Sequence, residues 1–181
     1  MKKFCPFCTL IMLALTGCVF TPHTEYPEST FDLKAAATVK TQDFFILSTI
    51  SNQTPARTKF YYRNAENSVQ LDHYRNWVQP PELLLKRYLL NKFPYQSTAG
   101  KKPVEAKLSI IAFEFDLAAS EAVLAFNYTL RNTVKKSQGN ITIRQKFAQP
   151  GAAPMVEAMD KAAAAAADKL ESEMKKFLTQ K

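Results

Sequence analysis

Ala122-Val123-Leu124-Ala125-Phe126-Asn127-Tyr128-Thr129-Leu130 sets Ala122, Leu124, Phe126, Tyr128 and Leu130 at every second position. Successive side chains of a strand point to opposite faces, so these five share one face, and an apolar row of this period marks a strand lying on a core. Lys107 to Asp116 reads as a strand before it, and Ile141, Ile143 and Phe147 repeat the period after it. Ser137-Gln138-Gly139-Asn140 supplies turn chemistry for a hairpin. The short connections predict three antiparallel neighbours.

A change of period follows. Pro154 opens a stretch in which Met155, Met159, Ala163, Ala166, Leu170, Met174 and Phe177 are spaced 4, 4, 3, 4, 4 and 3. That is one apolar stripe along a helix, either core or the seam of a partner helix. The run Ala162–Ala167 favours helix and permits close approach to a sheet. Upstream, Pro80-Pro81 suits a first helical turn, where N–H groups lack intrahelical partners. Leu84, Leu85, Tyr88 and Leu89 follow at helical spacing, and Pro94 closes the segment. Lys59–Arg63 and Val69–Tyr74 read as two arms of a hairpin across Asn64-Ala65-Glu66-Asn67. Phe44–Leu47 and Phe31-Asp32-Leu33 read as further strands, with loops over residues 34–42 and 100–103. The expected fold is α+β: an antiparallel sheet with two helices packed on one face.

The N-terminus carries an export signal. Lys2 and Lys3 precede an apolar run from Phe4 to Leu15, which is shorter than the roughly 20 residues a spanning helix needs. Leu15-Thr16-Gly17-Cys18 then resembles a bacterial lipobox: small residues fit the peptidase cleft, and the Cys18 thiol takes diacylglycerol as a thioether. The expected organisation is a signal peptide over residues 1–17, a lipidated N-terminus and flexible tether over 18–28, and one domain over 29–181. In enterobacteria an Asp after the cysteine favours the inner membrane. Val19 stands there instead, so the resemblance implies the outer membrane, periplasmic face.

Composition narrows the chemistry. The formal charge is +8, two units of which leave with Lys2 and Lys3. Export argues against nucleic acid as the acceptor of that charge and leaves an anionic lipid surface, an acidic protein or a plain solvated surface. Cys5 and Cys8 lie in the signal, so the mature domain has no disulfide. Catalysis finds no footing: His23 falls in the tether and His73 in a strand, no metal-ligand cluster or G-x-S-x-G stands out, and four glycines cannot furnish a phosphate loop. Glu114 and Asp116, two residues apart, read as solvated charges at a strand end. No enzyme activity and no cofactor are expected.

The stretch Tyr61-Tyr62-Arg63 … Val69-Gln70-Leu71-Asp72-His73-Tyr74-Arg75-Asn76-Trp77-Val78-Gln79-Pro80-Pro81 resembles the ABC-type transport auxiliary lipoproteins, the PqiC-like family. Its members carry a tyrosine-bearing hairpin, then a Trp and a Pro-led amphipathic helix, here Tyr74, Trp77, Pro81 and Leu84–Leu90. Leu108–Phe115 is similar to the family's L-x-x-x-x-F strand. Leu130-Arg131-Asn132 stands where its L-x-D strand end falls, Asn132 replacing the acid. The resemblance covers residues 29–178. It implies a non-enzymatic docking subunit of a transport system that moves lipids or other apolar compounds between membranes, beside an ABC permease and an MCE-domain protein, with ATP hydrolysed elsewhere. The alternative is a periplasmic lipid-binding module with an apolar groove. Tyr61, Arg63, Tyr74 and Trp77 have the composition of an interface centre and form the candidate docking surface, for a second copy of the chain, the MCE-domain protein or both. Trp77 and the prolines read first as architecture, packing where the chain turns into the helix, with docking as the sharper alternative.

Overall fold

The computed structural model describes residues 27–34, 36, 45–64, 68–94 and 103–179. The signal, Cys18 and His23, most of the 34–42 loop, hairpin residues 65–67 and residues 100–102 lie outside them. Seven strands, β1 (Ser29–Phe31), β2 (Phe45–Asn52), β3 (Lys59–Arg63), β4 (Val69–Trp77), β5 (Val104–Asp116), β6 (Glu121–Arg131) and β7 (Lys136–Lys146), form one open sheet. Helices α1 (Pro81–Lys92) and α2 (Ala152–Thr179) pack against it.

The sheet is mixed, where the sequence suggested antiparallel pairing throughout. β5–β6, β6–β7 and β3–β4 are antiparallel, but β1 runs parallel to β4, and β2 and β3 both run parallel to β5. β2 and β3 lie end to end along one side of β5. β2 pairs with Val104–Ile110, β3 with Phe115 and Asp116, and the Gln53 N–H bridges to the Ile110 carbonyl at 2.8 Å. Asn52 holds the step between them: its amide donates to the Ala56 carbonyl at 2.9 Å and its oxygen accepts from the Thr54 N–H at 2.9 Å. Parallel pairing needs a crossover, and α1 supplies it between the first four strands and β5.

The alternating row on β6 is core: Ala122, Leu124, Phe126, Tyr128 and Leu130 are all buried. On β5 the same face takes Leu108, Ile110, Phe113 and Phe115. The break in period comes from a bulge between Ile110 and Ala112, which turns Ile111 out to solvent. The turn joining β6 to β7 is Asn132–Lys135, not Ser137–Asn140. The Asn132 side chain accepts the N–H groups of Val134 and Lys135, each at 2.9 Å, and thereby closes the loop. Ser137–Asn140 lies inside β7, and Gly139 is there because the Tyr128 ring lies directly over it, leaving no room for a Cβ.

α1 starts at Pro81 and buries Leu84, Leu85, Tyr88 and Leu89, ending where Phe93 N–H returns to the Leu89 carbonyl at 2.8 Å. α2 buries every residue of its stripe from Met155 to Phe177, so the stripe is core against β6 and β7 rather than a vacant seam. Each of its methionine, leucine and phenylalanine side chains contributes about 1.5–3 kcal/mol through removal from water, and each alanine under about 1 kcal/mol. Lys92 of α1 pairs with Asp168 of α2 across the two helices. At the other end of the sheet an aromatic wedge fills the interior, with ring centroids 4.6 Å apart for Phe60–Trp77, 5.1 Å for Phe60–Phe115 and 5.3 Å for Trp77–Phe113.

Candidate docking surface

The β3–β4 hairpin carries the four residues singled out above, and its pairing is irregular. Lys59 faces Asn76 and Tyr61 faces Leu71, so Asp72, His73, Tyr74 and Arg75 together stand opposite Phe60 alone. Four residues against one force β4 outward. Asp72 holds this excursion: its Oδ1 accepts the N–H groups of Tyr74 at 2.7 Å and Arg75 at 3.0 Å, and its Oδ2 accepts the Tyr62 hydroxyl at 2.6 Å. Arg75 closes the set by donating to the Tyr62 oxygen at 3.1 Å. Burial pushes the Asp72 carboxyl up, but the Tyr62 hydroxyl, the two N–H groups and the Arg75 charge outweigh it and hold it below the usual carboxylate range. Burial, reinforced by the bond to Asp72, raises Tyr62 to about 12.

The four residues separate. Trp77 is 2% exposed and sits in the aromatic wedge; Tyr61 is 8% exposed. Tyr74 is displayed on the excursion at 49% exposure, with Val69 and Leu71 of the same strand also exposed. Arg63 points to the sheet face away from the helices. There its Nε and Nη2 donate to Glu114 Oε1 and Oε2 at 2.7 and 3.0 Å, a bidentate pair. The bond to Glu114 raises the Arg63 pKa. Glu114 is therefore a buried partner and not the solvated charge its position suggested. Asp116 takes the Ala119 N–H at 3.0 Å and pairs with Arg144 at 3.6 Å. The sequence reading missed Asp72 and Glu114 as organisers. Asp72 could be suspected from an Asp followed by aromatic and basic residues in a strand, whereas Glu114 needs the β3–β5 pairing to be known.

The helix-free face of β2, β5, β6 and β7 is polar. A concavity of about 570 Å³ on it is lined by Thr49, Ser51, Lys107, Ser109, Asn127, Thr129 and Gln138 among others. Three neighbouring cations, Lys107, Arg131 and Lys136, share a 220 Å³ recess with Glu105, which pairs with Arg131. Among the described residues no group of three or more His, Cys, Asp or Glu side chains could hold a metal ion, and no helix is long and apolar enough to cross a membrane.

Residues 53–171 match the sequence model of a family described as the ABC-type transport auxiliary lipoprotein component. The chain belongs to this family. The matched span runs from the step between β2 and β3 into α2 and so takes in the hairpin and both helices. Auxiliary lipoproteins of this kind are non-catalytic components of ABC transport, and the resemblance drawn from the hairpin and its Pro-led helix is confirmed. Two crystal structures share the fold. An uncharacterized protein superposes with a TM-score of 0.70 over 82% of this chain and 99% of its own, at 11% identity. A Xanthomonas campestris protein gives 0.62 over 78% and 92%, at 13% identity. No curated protein matches the chain.

Proposed function

We propose that this auxiliary lipoprotein is anchored through acyl chains on Cys18 at the periplasmic face of the outer membrane. There it serves as the docking subunit of an MCE-associated ABC system that moves lipids or other apolar compounds between membranes. One acyl chain holds a protein only reversibly, at about 0.8 kcal/mol per buried CH₂, whereas two or three on a single residue hold it firmly. The anchor and tether then raise the local concentration of the docking surface near its partner. Family membership supports a place in ABC transport. The observation that favours docking over carrying is the distribution of apolar surface. The interior is filled by side chains from both helices and the sheet, and the concavity of about 570 Å³, although carbon forms much of its wall, is an open hollow on the outer face of the sheet rimmed by Thr49, Ser51, Lys107, Asn127 and Gln138. An acyl chain needs apolar walls that enclose it. Laid in this open hollow it would stay largely in contact with water, which disfavours the alternative of an apolar groove.

The hairpin is the docking surface this reading favours. Tyr74, Leu71 and Val69 are presented to solvent on β4, while Trp77 and the Arg63–Glu114 pair fix the strand beneath them. Leu71→Glu combined with Tyr74→Ala changes exposed positions and leaves the aromatic wedge alone. Recovery of the MCE-domain protein with the tagged, membrane-bound variant should fall at least about tenfold, the scale of one lost interface centre. Undiminished recovery with the folded variant would remove the hairpin from the interface.

A further inference from the structure

β7 is the far edge of the sheet, and no described residue pairs with its outer side. Natural edges are ordinarily short, kinked or interrupted by proline, because unpaired N–H and C=O groups invite a further strand. The opposite edge obeys this rule. β1 has three residues, beyond it β4 is broken by the Asp72 excursion, and the eight-residue β2, paired among the described strands only with β5, is kinked by a register shift between Leu47 and Thr49. β7 is blunted by charge alone, through Lys136, Arg144 and Lys146. It is 11 residues long, contains no proline and keeps an unshifted register with β6 from Lys136 to Lys146.

The side chains of β7 itself carry only positive charge, but Arg144 is paired with Asp116 and Glu121 and the neighbouring Arg131 with Glu105, so the attraction for an acidic strand rests on Lys136 and Lys146. Between Glu121 and Glu157 the chain has no acidic residue, while Arg131, Lys135, Lys136, Arg144 and Lys146 lie between them. Lys136, Arg144 and Lys146 alternate with inward-facing Ile141 and Ile143, so all three stand on the helix-free face. A second copy is a poor occupant. Antiparallel pairing of two β7 strands centred on Ile141 sets Lys136 against Lys146 of the other copy twice, and centring on Asn140 sets Lys136 against Arg144 twice. Directly opposed like charges destabilise a strand pair. An incoming strand with acids opposite Lys136 and Lys146 meets those two cations on one face. Its other face, if apolar, covers the partly buried Ile143.

We propose that β7 accepts an extended, acidic–apolar alternating segment of another protein by strand addition, making a contact surface separate from the hairpin. The segment belongs to a component of the transport assembly, and in that respect the proposal rests on the docking reading above. The test uses the full-length lipoprotein in intact cells, with a photo-crosslinking benzoylphenylalanine placed at Thr142 or, separately, at Tyr74. The probe at Thr142 should capture an MCE-domain or other transport component through a peptide rich in Asp or Glu. Lys136→Glu with Lys146→Glu should lower that yield roughly tenfold, the scale of two reversed cross-strand charges, while capture from Tyr74 is retained. Capture of a second copy from Thr142, capture of lipid only, or a yield unmoved by the charge reversal overturns the proposal. Capture from Tyr74 without capture from Thr142 sinks strand addition at β7 and leaves docking intact. Failure at both positions removes both.

Discussion

Gly139 offers a quantitative check on how β7 meets α2. A Cβ built there falls 2.4 Å from the Tyr128 hydroxyl oxygen, 2.6 Å from Cζ and 2.9 Å from Cε1. Ordinary contact begins near 3.4 Å, so Gly139→Ala forces the ring to move by roughly 1 Å. The ring is wedged between β7 and α2, where its hydroxyl donates to Glu173 at 3.2 Å. Overpacking of this kind costs about 1–3 kcal/mol. Loss of the bond to the partly exposed Glu173 adds about 1 kcal/mol. Against this, alanine restricts the unfolded chain and returns about 0.4–1 kcal/mol. The net loss is about 1–3.5 kcal/mol, or roughly 2–14 °C in melting temperature for a domain of this size. Urea unfolding of a soluble form beginning at Pro27, followed by circular dichroism, measures it. In a Tyr128→Ala background the clash is absent, and Gly139→Ala should become neutral or stabilising. An equal loss in both backgrounds would show that Gly139 serves backbone geometry and not the ring.

Other perturbations follow from single contacts. Arg63→Ala strips a buried carboxylate of its bidentate partner and should cost about 1–2 kcal/mol, moderated because the Arg63 side chain is 38% exposed; adding Glu114→Gln should restore part of the loss in a double-mutant cycle. Asp160 sits in α2, where burial raises its pKa above the ordinary carboxylate value against the opposing Lys34 N–H bond at 2.9 Å. The stability tied to its neutral form is present below the unfolded pKa of about 3.9 and is lost as pH rises through the folded value. Asp160→Asn should therefore match wild type near about pH 3 and exceed it at neutral pH, and pH-dependent urea titrations would refute this by showing a constant difference. Cys18→Ala should leave an unprocessed precursor that incorporates no labelled fatty acid; normal processing by the general signal peptidase would end the lipobox reading.

Local periodicity carried most of the fold. The β6 row and the α2 stripe each state which face is buried, and β3–β4 could be paired because its arms are close in sequence. Parallel pairing of β2 and β3 with β5 was not legible, because alternation within a strand says which face is buried and nothing about which strand lies alongside. The β6–β7 turn was misplaced for a physical reason. Gly139 has turn composition but is selected by the Tyr128 ring, whereas the true turn is closed by the side chain of Asn132. Within the candidate surface, aromatic content alone could not separate Trp77, a wedge residue, from Tyr74, a displayed one. The four-residue excursion of β4 makes that distinction, and it depends on the pairing register. In sequence Glu114 looks solvated because its cation comes from Arg63, fifty-one positions away.

The most direct measurement is isolation of the tagged, full-length lipoprotein from cell envelopes in mild detergent, with the bound proteins identified by mass spectrometry. A lipid-anchored docking subunit predicts that the acylated protein brings down an MCE-domain protein of the same transport system, and that the Cys18→Ala form brings down far less from intact envelopes. Recovery of the acylated protein alone, after crosslinking in cells as well as without it, would contradict docking as its function.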